Sequence, residues 1–136
     1  MISSEPKWDE FVTTNRWAIL TTLRSSKQPV SSVVAYARRN DVLVVSTPGT
    51  TFKRQSIERD DRVNLCVINN AEPFNFVSIE GRCAIVSADL EADTRRVFAN
   101  IESVGYAVPD DLPNWLETQQ RVILEIHPER VYGVIR

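Results

Sequence analysis

Residues 74–87 read as one long β-strand with Gly81 near its middle. Glycine inside a strand pattern marks a bulge or a bend of the kind that turns a barrel corner. The segment carries apolar positions on both faces, more than one small barrel can cover, so a second surface is expected against it. The rest of the chain fits the same architecture. Residues 16–23, 30–37, 42–47, 62–68, 121–126 and 131–135 alternate or run apolar as further strands. Turn-forming groups separate them, among them Arg39-Asn40-Asp41, Asn69-Asn70-Ala71-Glu72-Pro73 and His127-Pro128. Six or seven short strands joined in this way, with a few helices, predict a mainly β fold and a small antiparallel barrel.

Helical periodicity appears in few places. Trp8, Phe11 and Val12 share a stripe after Pro6, and Leu90, Val97, Phe98, Ile101 and Val104 share a face after Asp89, which reads as the helix cap. Trp115 and Leu116 predict a short helix behind a loop holding Pro109 and Pro113. The 136 residues carry no linker or repeat, so residues 1–136 read as a single domain, long enough to bury a core without staples.

One helix has its charges reversed. Pro48-Gly49-Thr50-Thr51-Phe52-Lys53-Arg54 is a turn entering a helix that runs to about Arg59, with Thr50 or Thr51 as its cap. Lys53 and Arg54 occupy the positive end of the helix dipole, and Glu58, Asp60 and Asp61 lie near the negative end. Two readings compete: a solvated helix with indifferent charges, or a helix start whose N–H groups, hydroxyls and cations await a phosphate.

Other chemistry is sparsely equipped. Sixteen basic against eighteen acidic residues give a net charge of −2, which lacks the basic excess of a nucleic-acid binder. Cys66 and Cys83 form no CxxC and have no histidine nearby, so both read as small buried apolar residues. Met1-Ile2-Ser3-Ser4-Glu5-Pro6 lacks the basic and apolar regions of a secretory signal, and no apolar run is long enough for a bilayer, so a cytoplasmic location away from membranes is expected. His127 is the single histidine, beside a proline in the last β segment, and no His, Cys, Asp or Glu cluster has metal-ligand spacing. Neither a dinucleotide nor a P-loop fingerprint is present. An anion site with little acid–base machinery implies either a bound cofactor that brings its own reactivity or a binding module without chemistry.

Several motifs resemble one family in order. Trp17-Ala18-Ile19-Leu20-Thr21-Thr22-Leu23-Arg24, Gln28-Pro29-Val30-Ser31-Ser32-Val33 and Val45-Ser46-Thr47 resemble the front of the pyridoxamine 5′-phosphate oxidase-like split-barrel flavoproteins. Lys53-Arg54-Gln55-Ser56-Ile57-Glu58-Arg59-Asp60-Asp61-Arg62-Val63 is similar to that family's K-x-x-N-L-x-x-D-P-R-V segment. Ile79-Glu80-Gly81-Arg82-Cys83 resembles its V-x-G-x-A strand, and Arg130-Val131-Tyr132-Gly133 its closing R-V-Y-G. The likeness spans essentially the whole chain and is greatest to the flavin/deazaflavin branch, which often uses coenzyme F420.

The resemblance implies a six-stranded Greek-key split barrel and a homodimer with two cofactor sites at the interface. It implies that Lys53 contacts the cofactor phosphate, with Thr50 and Thr51 in the donor-bearing turn. Ser46 and Thr47 would flank the ring, Ser31, Ser32, Val33 and Val34 would lie beneath it, and Phe74 and Phe76 would approach the neighbouring subunit's cofactor. Thr51 departs from the arginine that related deazaflavin enzymes often carry, which removes a two-pronged phosphate contact. The function implied is an oxidoreductase delivering hydride from coenzyme F420, or alternatively FMN, to a small conjugated organic molecule. The rival readings are an FMN reductase or oxidase and a non-catalytic module holding a cofactor or haem, with His127 its candidate imidazole ligand. No catalytic side chain stands out, and Tyr132 reads as a packing residue.

Overall fold

The computed structural model describes residues 1–136. Strands β1 (Trp17–Leu23), β2 (Pro29–Ala35), β3 (Ala37–Arg39), β4 (Val42–Pro48), β5 (Arg62–Ile68), β6 (Phe76–Val86) and β7 (Arg121–Val134) form one antiparallel sheet in the order β2-β1-β5-β6-β7-β4-β3. β2 and β3 stand at opposite ends of that order, yet only Tyr36 separates them in the chain. The sheet therefore curls until its edges meet, which is the expected barrel. Seven strands replace the expected six because the second strand bends at Tyr36: its first half pairs with β1 and its second with β4. Tyr36 is fully buried, and its hydroxyl donates to the Val12 carbonyl at 2.6 Å, anchoring the bend to the first helix.

Alternation divides each strand between an inner and an outer face. Ala18 and Leu20 of β1, Val63, Leu65 and Val67 of β5, Val77 and Ile79 of β6, and Val122, Leu124 and Ile126 of β7 point inward and form one core. Helix α1 (Pro6–Thr14) adds Val12, and α2 (Phe52–Arg59) adds Ile57. Helix α3 (Glu91–Ile101) covers the outer face of β3 and β4, where Val97 packs with Ala37, Val44 and Ile123. Helix α4 (Leu112–Thr118) follows and leads into β7. No helix is long and apolar enough to cross a membrane.

Four local expectations change. β6 starts at Phe76, which leaves Phe74 outside the ladder and exposed. The break expected at His127-Pro128 is instead a register shift: Gly81 pairs with Pro128 and Glu80 with Arg130, so Glu129 is the extra residue and β7 continues. Proline is tolerated there because a bulge needs no ladder N–H at that point. Gly81 is required opposite it, since a Cβ would overlap the His127 carbonyl. Asp89 does not cap α3; it adopts a positive φ of 56°, the N-cap position falls to Leu90, and Val104 lies beyond the helix and exposed.

The barrel is not closed along its whole length. β3 pairs with Val42 to Val44 of β4 only, so the far half of β4 is paired with β7 on one side and with nothing on the other. β2 likewise pairs only with β1. These two free edges approach each other and leave a seam of backbone N–H and C=O groups outside any ladder.

Candidate functional site

A cavity of about 360 Å³ lies along this seam. One wall is β2, through Val33, Val34 and Ala35, and the other is β4, through Ser46 and Thr47. Aromatic side chains form much of the remainder. Trp17 meets Tyr106 edge to face at 5.9 Å between ring centres, and Phe98 meets Trp115 in the same way at 5.7 Å. Val97, Phe98 and Ile101 of α3 close the cavity from above. A slot with aromatic walls and free backbone polar groups along its edge suits a planar ring with hydrogen-bonding atoms on its rim.

Lys53 reaches the cavity from the first turn of α2. It is half-buried, and its ammonium makes no hydrogen bond or ion pair with the rest of the chain. Thr51 occupies the N-cap position, but its hydroxyl turns back to the Pro48 carbonyl at 3.0 Å and shares a hydrogen bond with Thr47 Oγ1 at 3.2 Å. The expected side-chain cap is therefore missing, and the first N–H groups of α2 have no side-chain acceptor. An uncapped helix start beside an unpaired ammonium is a site for an anionic oxygen group.

The other reversed charges of α2 have partners. Arg54 turns away from the cavity, donating to the Gly49 carbonyl at 3.3 Å with its Nε 3.7 Å from Glu58. Asp60 accepts from Arg62 at 2.7 Å and Lys27 at 3.2 Å, and the Arg62 hydrogen bonds hold its carboxyl well below the usual carboxylate range. Asp61 pairs with Arg82 at 2.8 Å. The acids at the end of α2 thus belong to a surface ion-pair group with neighbouring strands, and Lys53 is the unexplained charge.

Of the residues singled out in the sequence, Val33, Val34, Ser46, Thr47 and Lys53 line the cavity together. Thr50 and Thr51 lie in the adjoining turn, Thr50 exposed. Ser31 and Ser32 sit further along β2, where Ser31 Oγ is 2.8 Å from Thr21 Oγ1. Phe74 and Phe76 are not part of the cavity; Phe76 packs edge to face on Tyr132 at 5.8 Å.

Sequence reasoning missed Trp17, Tyr106, Trp115 and Arg121. Arg121 opens β7 opposite Pro48, and its place is set by the Gly49 turn, whose N–H donates to the Gln120 carbonyl at 2.6 Å. A Cβ on Gly49 would meet that same oxygen, so only glycine lets the turn lie this close to β7. The Arg121 guanidinium donates to Ser46 Oγ at 3.0 Å and to Gln119 Oε1 at 3.1 Å, and lies 4.3 Å from the Trp115 ring centre. Burial pulls its pKa down, and no carboxylate is paired with it. The available signal was a lone arginine at the start of an apolar strand, six positions after a tryptophan.

The outer sheet face beside the cavity is apolar. Val33, Ile19, Cys66, Ser78 and Tyr132 lie in one register row across β2-β1-β5-β6-β7, and Ala35, Trp17, Ile68, Phe76 and Val134 form the next. Val33 is 66% exposed and Tyr132 53%. Trp17, Val33 and Ala35 belong both to this face and to the cavity.

Residues 4–135 match the family described as pyridoxamine 5′-phosphate oxidase. The chain belongs to that family. Among curated relatives it is 29% identical over 128 residues to an F420H(2)-dependent biliverdin reductase of Mycobacterium tuberculosis (strain CDC 1551 / Oshkosh), covering 90% of this chain and 82% of that one. Among solved structures it superposes on a conserved hypothetical protein from Mycobacterium tuberculosis with a TM-score of 0.74 and 23% identity, over 96% of this chain and 84% of the other. It also superposes on an F420 reductase with a TM-score of 0.74 and 18% identity, over 91% and 94% of the two chains. At these identities the superpositions establish the split-barrel fold. Family membership also explains why motifs spread over the whole chain agree in order.

Proposed function

We propose that this member of the pyridoxamine 5′-phosphate oxidase family is a homodimeric reductase that uses coenzyme F420, or alternatively FMN, to reduce a small conjugated organic molecule. The observation that carries the reading is the unpaired Lys53 ammonium beside an uncapped helix start, at an aromatic-walled cavity on the open seam of the barrel. The F420H(2)-dependent relative supports the deazaflavin as the first choice.

The residues fit such a cofactor. Lys53 and the first N–H groups of α2 would hold its phosphate. The free edges of β2 and β4 offer backbone donors and acceptors for the ring heteroatoms, and Trp17, Phe98, Tyr106 and Trp115 exclude water from its faces. When bound, the cofactor supplies the hydride that reduces an electrophilic carbon of the substrate. The chain's contribution is then positioning: it fixes the approach of two planar molecules in one slot. The cavity lining contains no carboxylate and no imidazole, and the accompanying proton would come from a backbone N–H or from water.

A second copy of the chain would complete the site. The two apolar rows leave a broad apolar sheet face uncovered, and its edge residues Trp17, Val33 and Ala35 already line the cavity, so a partner packed there would supply a further wall.

The decisive experiment titrates cofactor-free protein with coenzyme F420 and FMN in parallel. Tighter binding of coenzyme F420 supports the first choice, and a yellow protein holding FMN supports the alternative. Binding of neither at millimolar concentration would overturn the assignment.

A further inference from the structure

Two cations line the cavity, and they occupy different places in it. Lys53 projects from the helix start after the Pro48–Thr51 turn. Arg121 enters from β7, and its guanidinium leans back along β4 to Ser46, away from that turn, lying over the Trp115 ring. We propose that Arg121 recognises an anionic group, of carboxylate or sulfonate type, on the conjugated substrate, so that this reductase selects planar acids over neutral molecules of the same shape. The inference rests on the cavity being a substrate and cofactor site, as argued above.

Three observations support it. First, Arg121 is half-buried without an acidic partner, and its bonds to the chain go to a neutral hydroxyl and a neutral amide. A guanidinium has five N–H donors, so capacity is left over for a two-pronged bond to an anion. By contrast, Arg39, on the same outer face, is consumed by Asp93 and by Glu125, the latter at 2.6 Å. Second, burial lowers the Arg121 pKa, the sign of a charge that its surroundings do not compensate. Third, Arg121 also borders an open groove of about 610 Å³ whose rim carries Asp89, Glu91 and Glu117. Those carboxylates repel an anion approaching from the groove, so the counter-charge Arg121 lacks is best supplied from the cavity side. Trp115 holds the guanidinium plane in place meanwhile, which lowers the entropy lost on binding.

A pair of probes with one aromatic frame tests this: 1-anilinonaphthalene-8-sulfonate and the uncharged N-phenyl-1-naphthylamine, titrated by fluorescence. The wild type should bind the sulfonate about tenfold more tightly than its neutral twin, and Arg121→Gln should abolish that preference by weakening the sulfonate alone, whereas Arg121→Lys should retain part of it. Equal binding of both probes by the wild type overturns the proposal. So does a preference that survives Arg121→Gln but disappears in Lys53→Ala. Should Arg121→Gln not fold, the wild type still decides: raising salt from about 20 to about 500 mM must weaken the sulfonate and spare its twin, and an unchanged preference refutes the proposal.

The cofactor arm separates the sources of the anion. Arg121→Gln should bind coenzyme F420 and FMN as tightly as wild type; an equal loss of cofactor affinity would place the guanidinium on the cofactor and refute the substrate assignment. If neither cofactor binds while the sulfonate preference still depends on Arg121, the oxidoreductase reading fails and the anion subsite stands.

Discussion

Replacing Lys53 with alanine separates binding from stability. The ammonium makes no bond within the chain, so its removal breaks nothing in the fold. It also stands in the first turn of α2, where a positive charge opposes the helix dipole; removing it should leave the melting temperature unchanged or raise it, by the equivalent of about 0.3 kcal/mol. Cofactor binding should move the other way. A hydrogen bond assisted by one charge contributes about 1.5–3 kcal/mol, so Lys53→Ala should lose roughly ten- to a hundredfold in affinity. The loss should shrink as salt is raised, because Lys53 is only half-buried and its charge is partly screened. Isothermal titration with coenzyme F420 and FMN, alongside a thermal melt, reads both quantities. Wild-type affinity for both cofactors at low salt, with the melt unchanged, would refute the reasoning and leave Lys53 a solvated helix charge.

Other substitutions probe other parts of the account. Ile19→Lys places a charge in the outer row between Val33 and Cys66, and should convert a dimer into a monomer by light scattering with little loss of monomer stability; a wild type already monomeric at micromolar concentration would remove the interface from the proposal. Thr51→Arg should tighten coenzyme F420 by about tenfold, since a fork replaces a hydroxyl now occupied with Pro48 and Thr47; weaker binding in a titration would mean that the phosphate lies elsewhere. Glu125 is held below the usual carboxylate range, first by the Arg39 hydrogen bond and then by His127. A lowered folded pKa makes its contribution complete above the unfolded value and lost as pH falls through the folded one, so Glu125→Gln should flatten the decline of melting temperature below about pH 4.3; an acid limb identical to wild type would contradict this.

Much of the fold was legible because barrel strands announce themselves locally. The inward Val63 and Leu65 of β5 alternate with Arg62 and Asn64, and β1 is a short run of apolar and threonine residues bounded by turn formers, signals that survive any change in the surroundings. The misreadings occur where a distant residue decides. Pro128 looks like a strand break until Gly81 stands opposite it and Glu129 absorbs the register shift. Residues 30–37 look like one strand because nothing local reveals that Tyr36 must turn its ring into the core and carry the chain from one edge of the sheet to the other. Asp89 has the chemistry of a cap, but its positive φ takes it out of the capping position.

The site was legible only in part, and for a related reason. A reversed charge in a helix is an anomaly of sequence, while an unpaired charge is a property of the folded chain. Five reversed charges around α2 reduce to one once their partners are known, since Arg54 meets Glu58, and Asp60 and Asp61 meet Lys27, Arg62 and Arg82. Lys53 remains. Arg121 was invisible by the same logic in reverse: an arginine opening a strand violates no local rule, and its lack of a carboxylate appears only when β7 is laid against Pro48 and Trp115 is folded beneath it. The two cations that line the seam cavity both lack an acid partner, although they come from a helix and a strand far apart in sequence. Where two cations without acids face one slot, the missing counter-charges belong to what the slot binds.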